Sequence, residues 1–103
     1  MDKNTALELC KKYLDKIRIS GIDFTEAWMF GSYAKGSQHE NSDIDLAIVL
    51  NDSRIHTFET DVELMTIRQD DETLIEPHAF SKEEFNFSVP IVNQIVNLGI
   101  RLA

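Results

Sequence analysis

The sequence of 103 residues has little of what several common kinds of protein require. Its single cysteine, Cys10, excludes an internal disulfide framework and a cysteine-rich zinc site. Basic side chains number 10 against 18 acidic ones, and the resulting charge of -8 argues against a direct nucleic-acid-binding surface, which would be basic. No apolar run approaches the roughly 20 residues that span a bilayer, and the N-terminus lacks a signal-peptide core. These absences predict a single cytoplasmic domain, residues 1–103, that enters no membrane.

Three amphipathic helices are predicted, because apolar residues recur in three segments at spacings of three and four. The segments are marked by Leu7, Cys10, Leu14 and Ile17, by Phe58, Val62 and Met65, and by Ile91, Ile95 and Leu98. We place Cys10 and Phe58 in the core. The acidic residues 70–72 are typical of a solvated loop, and residues 51–53 have the composition of a turn.

Strands are predicted over residues 27–30, 43–50 and 74–80, with a short terminal strand over residues 100–102. The connection between the first two is too short for a long crossover, so we expect them to be antiparallel. The helix between the second and the third permits a parallel pair, and Pro77 favours an edge position for the third. The predicted fold class is therefore α/β (α+β): a small mixed sheet of three to four strands packed with helices.

Two carboxylates stand at the start of the second predicted strand. Asp43 and Asp45 point to the same face because side chains alternate along a strand, and their mutual repulsion is costly beside an apolar segment. A divalent cation removes that cost, and Mg²⁺ prefers carboxylate oxygens together with substrate phosphates. Glu76 interrupts the apolar third strand, so it is the best candidate for a third metal ligand if the two strands are neighbours. His78 has the same strand parity, but we interpret it as a structural or exposed histidine.

A Gly-Ser pair ends the first predicted strand, with ten residues between it and Asp43. Gly31 lets a phosphate approach the backbone, and the following N–H groups and the Ser32 hydroxyl can donate hydrogen bonds to it. Lys35 adds a positive charge, although lysines are usually solvated. A Gly-Ser pair alone is typical of a plain turn, and an Asp-x-Asp pair alone is typical of a polar strand start. Their combination at this spacing favours a nucleotide site.

Residues 31–36 (GSYAKG) and 42–46 (SDIDL) resemble the signature of the DNA polymerase beta-like nucleotidyltransferase superfamily. The short length and the sequence IEP at residues 75–77 resemble its minimal nucleotidyltransferase (MNT) branch. The resemblance implies metal-dependent transfer of a nucleoside monophosphate from a nucleoside triphosphate to an acceptor hydroxyl, with release of pyrophosphate, and we predict ATP as the donor. It also implies two Mg²⁺ ions as cofactors.

The resemblance assigns roles to six residues of this chain. It implies that the catalytic and metal-binding residues are Asp43, Asp45 and Glu76, and that the nucleotide-binding residues are Gly31, Ser32 and Lys35. Two of these positions depart from the common family pattern. Family members often have arginine where this chain has Lys35, and many have aspartate where it has Glu76.

Members of the MNT branch are often antitoxins that adenylylate a tyrosine of a small helical HEPN partner. The resemblance therefore implies an HEPN-type toxin as the partner, and the net charge of -8 favours a basic surface on it. Two alternatives stay open: a module that masks its toxin without catalysis, and an enzyme that modifies a small molecule. A purely structural cation site would explain the carboxylates but not the Gly-Ser turn. The sequence leaves open the acceptor, the base preference and whether the chain forms a homo-oligomer.

Overall fold

Within residues 1–51 and 55–103, which the computed structural model describes, helices and strands alternate along the chain. In order they are α1 (Lys3–Ile19), β1 (Phe24–Phe30), α2 (Ser32–Lys35), β2 (Ile44–Leu50), α3 (Phe58–Ile67), a 3₁₀ helix (Asp70–Leu74), β3 (Ile75–Phe80), α4 (Pro90–Leu98) and β4 (Ile100–Arg101). The turn predicted at residues 51–53 falls mostly outside this part of the chain. None of the helices described is long and apolar enough to cross a membrane.

The strands form one sheet in the order β3-β2-β1-β4. β1 pairs antiparallel with β2 and with β4, whereas β2 and β3 pair in parallel. These pairings confirm the predicted mixed sheet and the directions of its first three strands. β3 lies at an edge, as Pro77 indicates, because proline has no N–H to donate to a neighbouring strand.

The side chains of β2 alternate between two hydrophobic clusters on opposite faces of the sheet. Leu46 and the other even-numbered residues of the strand belong to a large cluster that includes residues of α1 and α3. Ala47 packs with Phe30 of β1 and Ile95 of α4 in a smaller cluster. Because side chains alternate along a strand, Asp45 lies on the same face as Ala47, which is the face that α4 covers.

α1 confirms the predicted first helix and its apolar stripe. The Asp2 carboxylate accepts a hydrogen bond of 2.7 Å from the Thr5 N–H and caps the helix. Cys10, Leu14 and Ile17 are buried against the sheet. Burial raises the pKa of the Cys10 thiol to about 12, so this cysteine is an unreactive core residue, as predicted.

α3 is a helix as predicted, but the face that we expected to be buried is exposed. Phe58 is 78% exposed, and Val62 and Met65 are also exposed, whereas Thr60 and Leu64 are buried. The two candidate faces are offset by two residues, or about 200° around an α-helix. A spacing of three and four fits both faces, and the hydroxyl of Tyr13 donates a hydrogen bond of 2.5 Å to the carbonyl of Leu64 on the buried one. The prediction that Phe58 lies in the core was wrong.

We expect Leu64→Ala to lower the free energy of unfolding by about 2–5 kcal/mol, because it leaves a cavity beneath a fully buried helix face. Val62→Ala, on the exposed face, should change it by no more than about 0.5 kcal/mol. Urea unfolding of the two variants measures the difference. A larger loss for Val62→Ala than for Leu64→Ala would show that the helix is rotated as the sequence pattern first suggested.

The prediction that residues 70–72 form a solvated loop was wrong for Glu72. Asp70 and Asp71 are exposed, but the Glu72 side chain is buried in the 3₁₀ helix. Its Oε1 lies 2.8 Å from Lys16 Nζ of α1 and accepts a hydrogen bond of 2.9 Å from the Gln69 N–H. A buried carboxylate needs such partners because an unpaired one is strongly destabilising. The ion pair therefore links the 3₁₀ helix, which precedes β3, to α1.

His56 lies between two acidic side chains ahead of α3. Its Nε2 is 2.8 Å from Asp61 Oδ1, and its Nδ1 is 2.7 Å from Glu84 Oε1. Partial burial lowers the pKa of His56, but the hydrogen bonds to the two carboxylates outweigh it, so the pKa rises above 6.5. The pKa of Glu84 is lowered below 4.5, first by the Ser81 backbone N–H and then by His56.

We expect this cluster to stabilise the fold most between pH 4.5 and pH 6.5. The contribution of His56 is complete below its unfolded pKa and is lost as the pH rises through its raised folded value. That of Glu84 is lost as the pH falls through its lowered value. His56→Gln should therefore reduce the melting temperature more at pH 6 than at about pH 8.5. An equal reduction at both pH values, measured by circular dichroism, would contradict this account.

Candidate active site

The register between β2 and β3 places Asp45 directly opposite Glu76. His78 lies two residues further along β3 on the same face, and its Nε2 is 3.2 Å from Asp45 Oδ1. One ligand atom from each of the three side chains lies within 4.8 Å of the others. Glu76 is exposed, whereas Asp45 and His78 are half-buried. Parallel pairing thus brings the Asp45 carboxylate next to Glu76 and His78, although His78 lies 33 residues later in the sequence.

Asp43 does not belong to this group. It is exposed and lies one residue before β2 begins at Ile44, in the segment that leads from the α2 turn. The pairing of β2 with β3 begins at Ile44 and Ile75, so Asp43 has no strand partner in β3. The metal-binding role of Asp43 stays a prediction.

Gly31 directly follows β1 and lies against the Asp45 carboxylate, because Phe30, the last residue of β1, is the strand partner of Asp45. Its φ of 77° and ψ of -153° belong to a region that is almost restricted to glycine. A Cβ at this position would overlap Asp45 Oδ2. Gly31 is therefore required both by its own backbone conformation and by the approach of the carboxylate.

A single helical turn, α2, follows Gly31 and holds the other two predicted nucleotide-binding residues. The Gly31 carbonyl accepts a hydrogen bond of 3.2 Å from the Lys35 N–H, and the Ser32 carbonyl accepts one of 2.9 Å from the Ser37 N–H. Ser32 is half-buried and Lys35 is exposed. Gly36 ends the turn with a φ of 74°. The turn thus presents Ser32 and Lys35 beside the end of β1.

An open pocket of about 210 Å³ joins the end of β1 to α4. It is lined by Phe30, Gly31, Lys35, Asp45, Ile91, Gln94 and Leu98. Three of the six predicted site residues therefore share one cavity. The other three predicted site residues, Ser32, Asp43 and Glu76, are not among the described residues that line this pocket.

The contribution of α4 to this pocket was not predicted from the sequence. Ile91, Ile95 and Leu98 were expected on one apolar stripe, but only Ile95 of the three is buried, together with Val92. Ile91 and Leu98 are 41% and 55% exposed at the mouth of the pocket. Their side chains are exposed because a gap separates α4 from the end of β1. The spacing of apolar residues along α4 does not predict such a gap. His78 was also missed as a neighbour of Asp45, although its strand parity indicated it.

The grouped side chains fit a divalent cation. Two carboxylates and an imidazole within 4.8 Å of one another are donors that Mg²⁺, Mn²⁺ and similar ions accept. Within the described part of the chain, no lysine or arginine forms an ion pair with Asp45 or Glu76. Their charge is therefore available to a bound ion.

Comparison with known proteins shows the family of this chain. The family described as Polymerase beta, Nucleotidyltransferase matches residues 8–102. The chain therefore belongs to this family of nucleotidyltransferases, as the Gly-Ser and Asp-x-Asp motifs predicted.

One curated protein and two solved structures are similar to this chain. Protein adenylyltransferase MntA of Shewanella oneidensis is 32% identical over 53 residues, which are 52% of this chain and 33% of that protein. The crystal structure of a candidate nucleotidyltransferase from Sulfolobus solfataricus superposes with a TM-score of 0.68 at 17% identity, over 96% of this chain and 80% of that one. A mutant of the toxin–antitoxin MntA-HpeT superposes with a TM-score of 0.56 at 19% identity, over 100% of this chain and 73% of that one. The alignment with the curated relative spans about a third of its length, and the two solved structures confirm the fold.

Proposed function

We propose that this protein is a metal-dependent nucleotidyltransferase that transfers AMP from ATP to a tyrosine hydroxyl of a cognate HEPN-type toxin, and so acts as an antitoxin. The observation that carries the proposal is the convergence of Gly31, Lys35 and Asp45 on one pocket, with Glu76 beside Asp45. Membership of the nucleotidyltransferase family supports the reaction class. The similarity to a protein adenylyltransferase supports a protein acceptor.

The residues of the proposed site have different roles in the reaction. Asp43, Asp45 and Glu76 would hold two Mg²⁺ ions, which neutralise the triphosphate and stabilise the charge that develops during transfer. The backbone N–H groups after Gly31 and the Ser32 hydroxyl donate to the phosphates. These contacts fix the α-phosphorus in line with the incoming hydroxyl, which is the main requirement of this chemistry.

In the proposed reaction, the acceptor oxygen forms a bond to the α-phosphorus as the bond from that phosphorus to the bridging oxygen breaks. Pyrophosphate leaves with the bonding electrons, and the proton of the acceptor hydroxyl passes to the Glu76 carboxylate. Lys35 offsets part of the negative charge of the departing phosphates. The products are an AMP-modified hydroxyl and pyrophosphate.

α4 offers a surface for the nucleoside in this proposal. Ile91 and Leu98 present apolar side chains to the pocket, and the Gln94 amide has both a donor and an acceptor for the edge of a base. A pocket with largely apolar walls and a few polar groups is typical of small-molecule sites. We place the reaction in one domain, residues 1–103, in the reducing cytoplasm, where ATP and a free thiol such as Cys10 coexist.

The charge of the chain favours a protein acceptor with a basic surface. The formal charge of -8 steers such a partner towards the domain and repels free nucleic acid. Transfer requires the acceptor hydroxyl to lie near the α-phosphorus, so we expect the partner to dock beside Gly31 and Asp45. No acceptor-binding unit beyond the small domain is needed if the toxin itself supplies the docking surface.

The test is a transfer assay with purified protein, the candidate toxin, Mg²⁺ and ATP labelled at either the α- or the γ-phosphate. We expect the α-label, but not the γ-label, to appear on the toxin, and intact-mass spectrometry to show added AMP. Label on a small molecule such as an aminoglycoside would overturn the protein acceptor and preserve the enzyme class. If no label transfers and Asp45→Asn blocks the toxin as well as the wild type does, the protein acts by masking its toxin.

A further inference from the structure

His78 is held against the site by two contacts. Its ring packs on Phe30, with centroids 5.1 Å apart and the planes tilted by 60°. Its Nε2 reaches Asp45 Oδ1 at 3.2 Å, and its side chain is 35% exposed. The imidazole is therefore fixed on one side by an aromatic ring and open to solvent on the other, beside the Asp45 carboxylate of the proposed site.

The spacing of the three donor atoms suits a single ion. Neighbouring ligands of an octahedral ion lie about 3 Å apart when each bond is about 2.1 Å long, and opposite ligands lie about 4.2 Å apart. The donor atoms of Asp45, Glu76 and His78 lie within 4.8 Å of one another. Small side-chain rotations at two exposed or half-buried positions are enough to close that distance. Asp43 lies outside this group, so the imidazole is the third donor that the geometry supplies.

We propose that His78 is a direct metal ligand at one of the two ion positions of this site, and that the set of Asp45, Glu76 and His78 makes that position bind Mn²⁺ in preference to Mg²⁺. Mg²⁺ is bound almost entirely through oxygen, whereas first-row transition metals bind imidazole nitrogen well. Mn²⁺ tolerates both carboxylate and imidazole ligands and keeps the octahedral geometry that phosphate transfer requires. This inference rests on the proposed function because it concerns one of the two ion positions of that same site.

Direct coordination can be measured on the full chain without any enzymatic reaction. Mn²⁺ is titrated into the protein, with and without a non-hydrolysable ATP analogue, and the bound ion is examined by electron spin echo envelope modulation, which detects a coordinated ¹⁴N nucleus. We expect imidazole modulation in the wild type and in His39→Leu, where an exposed histidine outside the group is replaced. His78→Leu should abolish the modulation.

Calorimetry of Mn²⁺ and Mg²⁺ binding tests the selectivity. Loss of hydrogen-bonding partners around a metal site costs 10–100-fold in affinity, so loss of a direct ligand in His78→Leu should weaken Mn²⁺ binding at least about tenfold. Mg²⁺ binding should change much less. His78→Asp restores a third ligand as oxygen, and we expect it to recover ion binding while the ratio of Mn²⁺ to Mg²⁺ affinity falls. Circular dichroism of each variant checks that it folds.

Several outcomes would overturn the inference. Wild-type Mn²⁺ without imidazole modulation, with or without the ATP analogue, would show that His78 is not a ligand. An unchanged ratio of the two affinities in a folded His78→Leu variant would show that it does not set selectivity. Either result, combined with transfer of α-label to the toxin, leaves the proposed function intact. Conversely, a His78-dependent Mn²⁺ site in a protein that transfers no label supports the inference and contradicts the function.

Discussion

Asp45→Asn is expected to reduce the proposed transfer of AMP by at least about a thousandfold, which corresponds to about 4 kcal/mol of transition-state stabilisation. Asp45 lines the pocket, faces Glu76 across the strand pair and lies against Gly31. Asparagine has nearly the same shape but removes the negative charge, so it weakens any bound cation. The rate of α-label transfer at saturating ATP and metal measures the effect.

The fold of this variant should be nearly unchanged, because the Asp45 side chain is half-buried and has no lysine or arginine partner among the described residues. Asp71→Asn is a matched control, since it removes one carboxylate from the exposed part of the 3₁₀ helix. We expect Asp71→Asn to retain transfer. An Asp45→Asn variant that transfers AMP at the wild-type rate would place the active site elsewhere.

Gly31→Ala is expected to cost both activity and stability. The backbone conformation at this position costs about 1–3 kcal/mol for a residue other than glycine. In addition, the new Cβ would collide with Asp45 Oδ2, so the carboxylate must leave its position beside Glu76 and His78. We expect the free energy of unfolding to fall by at least about 2 kcal/mol and AMP transfer to be lost. Urea unfolding and the label-transfer assay measure the two effects.

Gly36→Ala separates backbone strain from the collision. Gly36 has a φ of 74°, close to that of Gly31, but a Cβ there would meet nothing within 4 Å. We expect a loss of stability of about 1–2 kcal/mol with transfer retained. The collision itself is measured by adding Gly31→Ala to an Asp45→Ala background, where its effect on stability should be smaller. If Gly31→Ala costs the same in both backgrounds, the carboxylate does not lie against Gly31.

Much of the site could be predicted from the sequence because its signals are local. Gly31 and Ser32 follow an apolar run, and Asp43 and Asp45 begin the next one. The candidate functional residues therefore lie at the ends of predicted strands. The short connection between these runs requires an antiparallel pair, and a helix-length connection permits the parallel neighbour that carries Glu76. The observed mixed sheet agrees with these connections, and the register between β2 and β3, which the connections leave open, sets Asp45 opposite Glu76.

Other features were decided by tertiary packing. The spacing of apolar residues in α3 fits two opposite faces equally well, and contact with α1 selected the face of Leu64 over that of Phe58. Glu72 is buried because Lys16, 56 residues earlier in the sequence, supplies its counter-charge.

The sequence by itself determined the fold class, the family motif and the candidate residues for the chemistry, because each depends on short local patterns of residues. Only the tertiary structure decided which of them meet. It joined Asp45 and Glu76 to His78 and left Asp43 outside the group, and it opened a pocket against α4. The physical reason is that donor distances and cavity walls depend on how strands and helices pack, and residue spacing along one segment carries no information about the segment that packs against it.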